Sequence, residues 1–215
     1  STAASATAAP QQAHAPNDTT KFPPDPFKPP FERVAQEGDG VWTTLEDSLG
    51  NDGRPTLFRS RIHPHPVKRF TSVELVAMDL RRVQIVAVAG TLEPEAKKVG
   101  TQPRTGLVPQ EDLPNLLAVF NGGFMEQHGH YGMRIGPDLL VPPRQDACTF
   151  GLFGDGRVAI GTYSAIAETE PQMTAWRQTP SCLVEKGQLN PALDGEATSR
   201  RWGNSIEKKR EIRRS

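Results

Sequence analysis

A chain of 215 residues suits one domain with a tail better than two full domains. Lys+Arg and Asp+Glu are equal at 25 each, so the formal net charge of +0 gives no global pull toward nucleic acid or an anionic membrane. Hydrophobic content of 36% is low and 20 prolines is high, yet 9 Phe and 3 Trp can anchor a core, which excludes a wholly disordered chain.

Residues 1–30 are rich in Ala, Thr, Ser and Pro and end in Phe22-Pro-Pro-Asp-Pro-Phe-Lys-Pro-Pro30. Proline removes backbone donors and fixes φ, so this stretch cannot build a helix or a sheet ladder. It reads as a disordered Pro/Ala-rich tail, or as an arm laid over the domain with Phe22, Phe27 and Phe31 as anchors. The small residues at its start are of the kind that follow a signal-peptidase site. The expectation is a processed N-terminus and an extracellular, periplasmic or cell-envelope location; an arbitrary chain boundary is the blander reading.

From residue 31 to 215 the pattern is that of a globular domain. Gly38-Asp-Gly-Val-Trp42 reads as a turn followed by an aromatic anchor. Leu57–Ile62 alternates as a strand does, and His63-Pro-His-Pro66 stops it, because each proline forces its predecessor away from helix. Ser72–Leu80 and Arg82–Ala89 are strand-length apolar runs, expected to pair as an antiparallel hairpin. A short helix is expected over Gln110–Leu117, then a buried strand, Ala118-Val-Phe120, running into Asn121-Gly-Gly. Leu139–Val141, Thr149–Phe153 and Val158–Gly161 follow as short strands. Phe153-Gly-Asp-Gly-Arg157 is a tight hairpin turn, and Leu183–Leu189 repeats the strand–turn–strand pattern. Together these predict an α+β fold, largely antiparallel sheet with few short helices.

Two cysteines, Cys148 and Cys182, make neither a disulfide framework nor a metal motif. One disulfide and two buried thiols both fit. No apolar run approaches the roughly 20 residues that span a bilayer, and Ile85–Ala89 is only strand-sized, so no transmembrane segment is expected. The basic stretches Arg200-Arg-Trp202 and Lys208-Lys-Arg210 accompany no nucleic-acid motif and are interrupted by Glu207 and Glu211. They read as a solvated face, and no nucleic-acid partner is expected.

Chemistry concentrates after residue 120. Glycines in Asn121-Gly122-Gly123 allow positive φ and can turn N–H groups toward a phosphate or an oxyanion, with Asn121 adding an amide. Read alone, Asn-Gly is first of all the signature of an ordinary hairpin turn. Glu126, His128 and His130 follow within ten residues. On an extended segment the two histidines share a side and can act as acid/base groups or a substrate clamp. A metal pair is the weaker reading, since no third ligand is evident, and no cofactor is expected. Gly129 and Gly132 leave room for a ligand to approach. Arg134 has the chemistry to clamp a phosphate.

Three strings resemble the phosphodiester glycosidase family: Ala118-Val-Phe-Asn-Gly-Gly-Phe-Met125, Gly132-Met-Arg-Ile-Gly136 and Phe150-Gly-Leu-Phe-Gly-Asp-Gly-Arg157. Pro180-Ser-Cys-Leu-Val-Glu-Lys-Gly187 is similar to the next family element. The resemblance covers about residues 70–215 and implies hydrolysis of a glycosyl–phosphodiester substrate. On that reading Glu126, His128 and His130 are the acid/base candidates. Asn121, Gly122, Gly123, Arg134 and Arg213 are the candidates for binding the substrate. The family's closing Leu-Asp-Gly-Gly-Gly-Ser type motif is absent. Cleavage of a precursor, truncation and loss of catalysis all account for that; the preferred expectation is cleavage, with a bound C-terminal fragment completing the sheet.

Overall fold

The computed structural model describes residues 21–46, 48–92, 94 and 104–191. These fall into two compact units, divided between Ile85 and Val86. Both are built from antiparallel strands, with one short α-helix in the second. Residues 1–20, the greater part of the expected tail, lie outside the described residues, as do Trp202, the basic C-terminal stretches and Arg213.

In the first unit, β1 (Thr43–Thr44), β2 (Leu57–Ile62) and β3 (Val73–Met78) form a sheet in chain order. The β2–β3 register runs from Leu57 opposite Met78 to Ile62 opposite Val73. Residues 21–30 behave as the arm rather than as a free tail. Phe22 packs edge-on against Phe58 and Phe27 against Trp42, while the Phe27 N–H donates to the Gly40 carbonyl at 3.1 Å. A Cβ on Gly40 would meet the Phe27 carbonyl oxygen at 1.9 Å, so the arm demands glycine there. Phe31, by contrast, is exposed.

Beneath the Gly38–Gly40 turn lies a buried pair, with His63 Nδ1 2.9 Å from the Asp39 carboxylate. Burial pushes the Asp39 carboxyl up, but hydrogen bonds from His63 and from the Gln36 N–H outweigh it and hold the group below its ordinary value.

The expected hairpin between 72–80 and 82–89 does not form. β3 pairs with β2 instead, and Arg82–Ala89 joins no ladder among the described residues. The physical cause is the turn at Asp79. Its carbonyl accepts the N–H groups of Arg82 and Val83, while its carboxylate holds Arg81 through backbone and guanidinium. That closes a tight local turn without delivering the chain back along β3.

The second unit holds β4 (Met133–Ile135), β5 (Asp138–Val141), β6 (Cys148–Phe153), β7 (Val158–Thr162) and β8 (Met173–Thr179) in one antiparallel sheet. The order is β5-β4-β8-β6-β7, which makes β8 the central strand. Between β7 and β8 lies α1, Tyr163–Ile166, followed by a 3₁₀ turn over Ala167–Gln172. Phe153, Ala159, Ile166, Met173 and Trp176 form its buried apolar cluster. The Phe153–Arg157 hairpin closes as the sequence implies, with Gly156 N–H donating to Phe153 O and Phe153 N–H to Arg157 O.

A small hairpin of β9 (Val184–Glu185) and β10 (Gln188–Leu189) completes the unit. It is tied down at two points. Cys148 and Cys182 form a disulfide, which decides between the two readings left open above. Glu185 accepts the backbone N–H and the hydroxyl of Thr162 at 2.8 and 3.0 Å.

Two further expectations are corrected. Over Gln110–Leu117 only a 3₁₀ turn forms, Leu113–Asn115, where Pro114 near its start limits the hydrogen-bonding N–H groups. Ala118-Val-Phe120 is not a buried strand: it pairs with no strand among the described residues, and Val119 and Phe120 are 71% and 57% exposed.

Candidate functional site

Asn121, Gly122, Gly123, Glu126, His128 and His130 lie on the loop from Asn121 to Tyr131, which leads into β4, while Arg134 is on β4 itself. Asn121 makes a local turn, its Oδ1 accepting the Gly123 N–H at 3.3 Å. That amide is therefore turned toward its own neighbour, and the segment is neither a two-stranded hairpin turn nor an open row of N–H donors. Gly123 has φ +153°, a value that L side chains rarely adopt.

One side chain of β8 fixes the loop. Arg177 donates from one guanidinium nitrogen to the carbonyls of Tyr131 and Gly132 (3.1 Å to the latter) and from the other to the carbonyl of Phe124. Arg144 adds a second clamp, donating to the Gly129 carbonyl at 2.9 Å with its guanidinium 5.3 Å from the centre of the Tyr131 ring. Gln178, fully buried, supplies a third: its Oε1 accepts the N–H groups of Gly132 and Arg144, and its Nε2 donates to Arg144 O and Thr149 Oγ1. All the hydrogen-bonding capacity that matters for burying this amide is used.

The glycines expected to admit a ligand admit protein instead. A Cβ at Gly132 would lie 2.6 Å from Gln178 Oε1 and 2.8 Å from Pro143 Cα; one at Gly129 would lie 2.6 Å from the Tyr131 ring. Close approach is real at both positions, but the approaching groups belong to the fold.

Glu126–His128 is a 3₁₀ turn and His130 has φ +51°, so the expected extended segment with His128 and His130 on one side does not form. The turn instead brings Glu126 and His130 together. His130 Nδ1 lies 3.5 Å from Glu126 Oε1, the carboxylate largely sheltered and the imidazole exposed. At 3.5 Å the two groups are within ion-pair range but farther apart than a hydrogen bond. A carboxyl group and an imidazole are the side chains most used for acid–base work. His128 is exposed on the same turn.

Arg134 is occupied elsewhere. Its guanidinium donates to the carbonyls of Gly136, Glu170 and Met173, and its Nε lies 3.4 Å from Glu170 Oε1. The same carboxylate accepts from Trp176 Nε1 at 3.0 Å and from the Tyr163 hydroxyl. Burial, then the hydrogen bond to Glu170 and that carboxylate's charge, push the Tyr163 phenol up to about 12 against a smaller opposing pull from Arg134. In this arrangement Arg134 joins β4 to the turn before β8 and does not face the Asn121 loop with a free donor.

Sequence reasoning thus collected Asn121, Gly122, Gly123, Glu126, His128 and His130 on one loop and missed what holds it. Arg144, Arg177 and Gln178 were not singled out; the available signal was a polar pair, Arg177-Gln178, inside an otherwise strand-like run. Among the described residues no group of three or more His, Cys, Asp or Glu stands arranged to hold a metal ion. No helix among them is long and apolar enough to cross a membrane. Comparisons with family models, with curated proteins and with solved structures found no match to this chain.

Proposed function

We propose that the protein is a phosphodiester glycosidase-like protein, secreted or of the cell envelope, that hydrolyses a sugar-phosphodiester linkage. The observation that carries this reading is the Glu126–His130 pair, sheltered carboxylate against exposed imidazole, on a loop clamped by Arg177. In the proposed reaction water attacks the anomeric carbon, the glycosyl–oxygen bond breaks and a phosphomonoester leaves. Glu126 and His130 handle the proton, with His128 beside them. Phosphate is a good leaving group, so positioning and charge stabilisation carry most of the work. Asn121 and the Gly122–Gly123 backbone lie at the phosphate end. Arg134 is bonded within the sheet, which leaves Arg213, outside the described residues, as the proposed guanidinium partner of the phosphate.

The site is proposed to be completed by a strand-forming segment laid beside this loop. Exposed Leu116, Val119 and Phe120, outside any ladder among the described residues and directly before Asn121, support that requirement. The same exposed run also favours a second reading, a non-catalytic extracellular or envelope assembly protein that uses this surface for binding. An assay of sugar release from a glycosyl phosphodiester separates the two. Release that is lost in Asn121→Ala or His128→Ala supports the enzyme; no release from any such diester supports the assembly protein.

A further inference from the structure

We infer that two copies of the chain pair through the outer edge of β3, Val76 of one against Val76 of the other, joining their three-stranded sheets into a single sheet. β3 is an edge strand of its sheet. Its register with β2 decides which backbone groups face outward. The Asp79 N–H donates to the Thr56 carbonyl at 3.0 Å, so Thr56 and Asp79 are a hydrogen-bonded pair. Bonded and non-bonded pairs alternate along an antiparallel ladder. The N–H and C=O groups of Val73, Leu75 and Ala77 therefore point toward β2, and those of Glu74, Val76 and Met78 point away from it. β2 keeps the same alternation, since the carbonyls of Leu57 and Arg61 accept from Leu45 and Gly40 on its other side. Among the described residues no backbone hydrogen bond reaches the outward groups of Glu74, Val76 or Met78.

Exposed edges are ordinarily blunted by proline, a bulge or an unpaired charge. β3 has none of these. Val73–Met78 contains no proline, its register with β2 is unbroken, and its one charge, Glu74, is paired with Arg61. Val73 and Val76 are exposed.

A second copy fits this edge because the outward groups are symmetric about Val76. A two-fold axis there gives an isologous contact. Val76 meets Val76, and Glu74 meets Met78 on either side, so every outward residue enters a bonded pair. An axis at Leu75 or Ala77 would leave one of them unpaired. Glu74 faces a methionine rather than its own copy, and Val76 gains a β-branched partner on its own face. On the opposite face Leu75 falls beside Ala77. Arg59, next to Val76 on β2, is kept from its copy by three strand spacings, about 14 Å, more than a Debye length of about 10 Å. The strand thus complements itself in hydrogen bonding and in charge.

The test is sedimentation equilibrium of the full chain, with disulfide trapping of the register. A monomer–dimer equilibrium is expected, shifting toward dimer as concentration rises. Val76→Pro removes an N–H that the β2–β3 ladder does not use, a change an edge strand tolerates. It should raise the dissociation constant at least about tenfold, with an unchanged circular dichroism spectrum. Both natural cysteines are held in the disulfide, so an introduced one is the only free thiol. Val76→Cys should yield a covalent dimer under mild oxidation, because a bonded pair holds its Cα atoms about 5.5 Å apart. Glu74→Cys should not, its copy lying about 14 Å away along the strands. A chain that stays monomeric at every concentration overturns the inference. So does a dimer that Val76→Pro leaves unchanged, or one in which Glu74→Cys cross-links as readily as Val76→Cys.

Discussion

Arg177 occupies the space that a side chain at position 123 would need: a Cβ on Gly123 would lie 2.9 Å from Arg177 Nε and 3.3 Å from its Cγ. The arginine and the glycine are thus a matched pair, one bridging three carbonyls of the loop and the other letting it pass. Gly123→Ala must accept both a positive φ and displacement of the guanidinium. A destabilisation of about 1–3 kcal/mol is expected in urea denaturation. Protease cleavage between residues 121 and 131 should rise in parallel. A variant as stable and as resistant as the parent would mean that Arg177 does not set the loop.

Gln178 offers a sharper stability test, because it is buried and bonded at both ends of its amide. Gln178→Leu keeps the volume but strands the N–H groups of Gly132 and Arg144 and the Arg144 carbonyl. A loss of about 3 kcal/mol is expected, since each buried polar group left unpaired costs about 1–3 kcal/mol. Chemical denaturation midpoints read this directly.

The disulfide closes a separation of 34 residues between Cys148 and Cys182. Constraint of the unfolded chain by a loop of this size is worth about 3–4 kcal/mol. Replacing both cysteines by serine should lower stability by about that amount. The β9–β10 hairpin should then show faster amide exchange, because Glu185–Thr162 remains as its main polar tie.

Alkaline pH probes the Arg134–Glu170–Tyr163 cluster. The phenol of Tyr163 is raised from 10.0 to about 12, so the folded state holds a proton that the unfolded chain releases earlier. Its contribution to stability is fully present below pH 10 and is lost as pH rises through about 12. In an absorbance titration Tyr163→Phe should remove a tyrosine ionisation that occurs at about pH 12 in the parent.

Much of the sheet was legible because its signals are local. Leu57–Ile62, Thr149–Phe153 and Val158–Gly161 carry strand-like runs, and Asp155-Gly156 marks its own turn. The central strand β8 was not, since Arg177 and Gln178 put polar groups where a buried strand is expected to be apolar, and their partners include backbone groups of distant loops. Arg82–Ala89 and Ala118–Phe120 failed the other way: composition favours a strand, but a strand also needs a neighbour, and among the described residues neither has one. The Glu126–His130 contact escaped for a third reason. It depends on a 3₁₀ turn and a left-handed residue at His130, backbone choices that the glycine-rich loop sequence leaves open.

The most direct test of the proposed function is sugar release from a glycosyl phosphodiester, measured for the parent and for Glu126→Gln. Removing the carboxylate from the Glu126–His130 pair should lower the rate at least about 100-fold, the lower end of what a positioned acid/base contributes, without changing the denaturation midpoint. Full activity in Glu126→Gln, or no release by the parent from any glycosyl phosphodiester offered, would contradict the account.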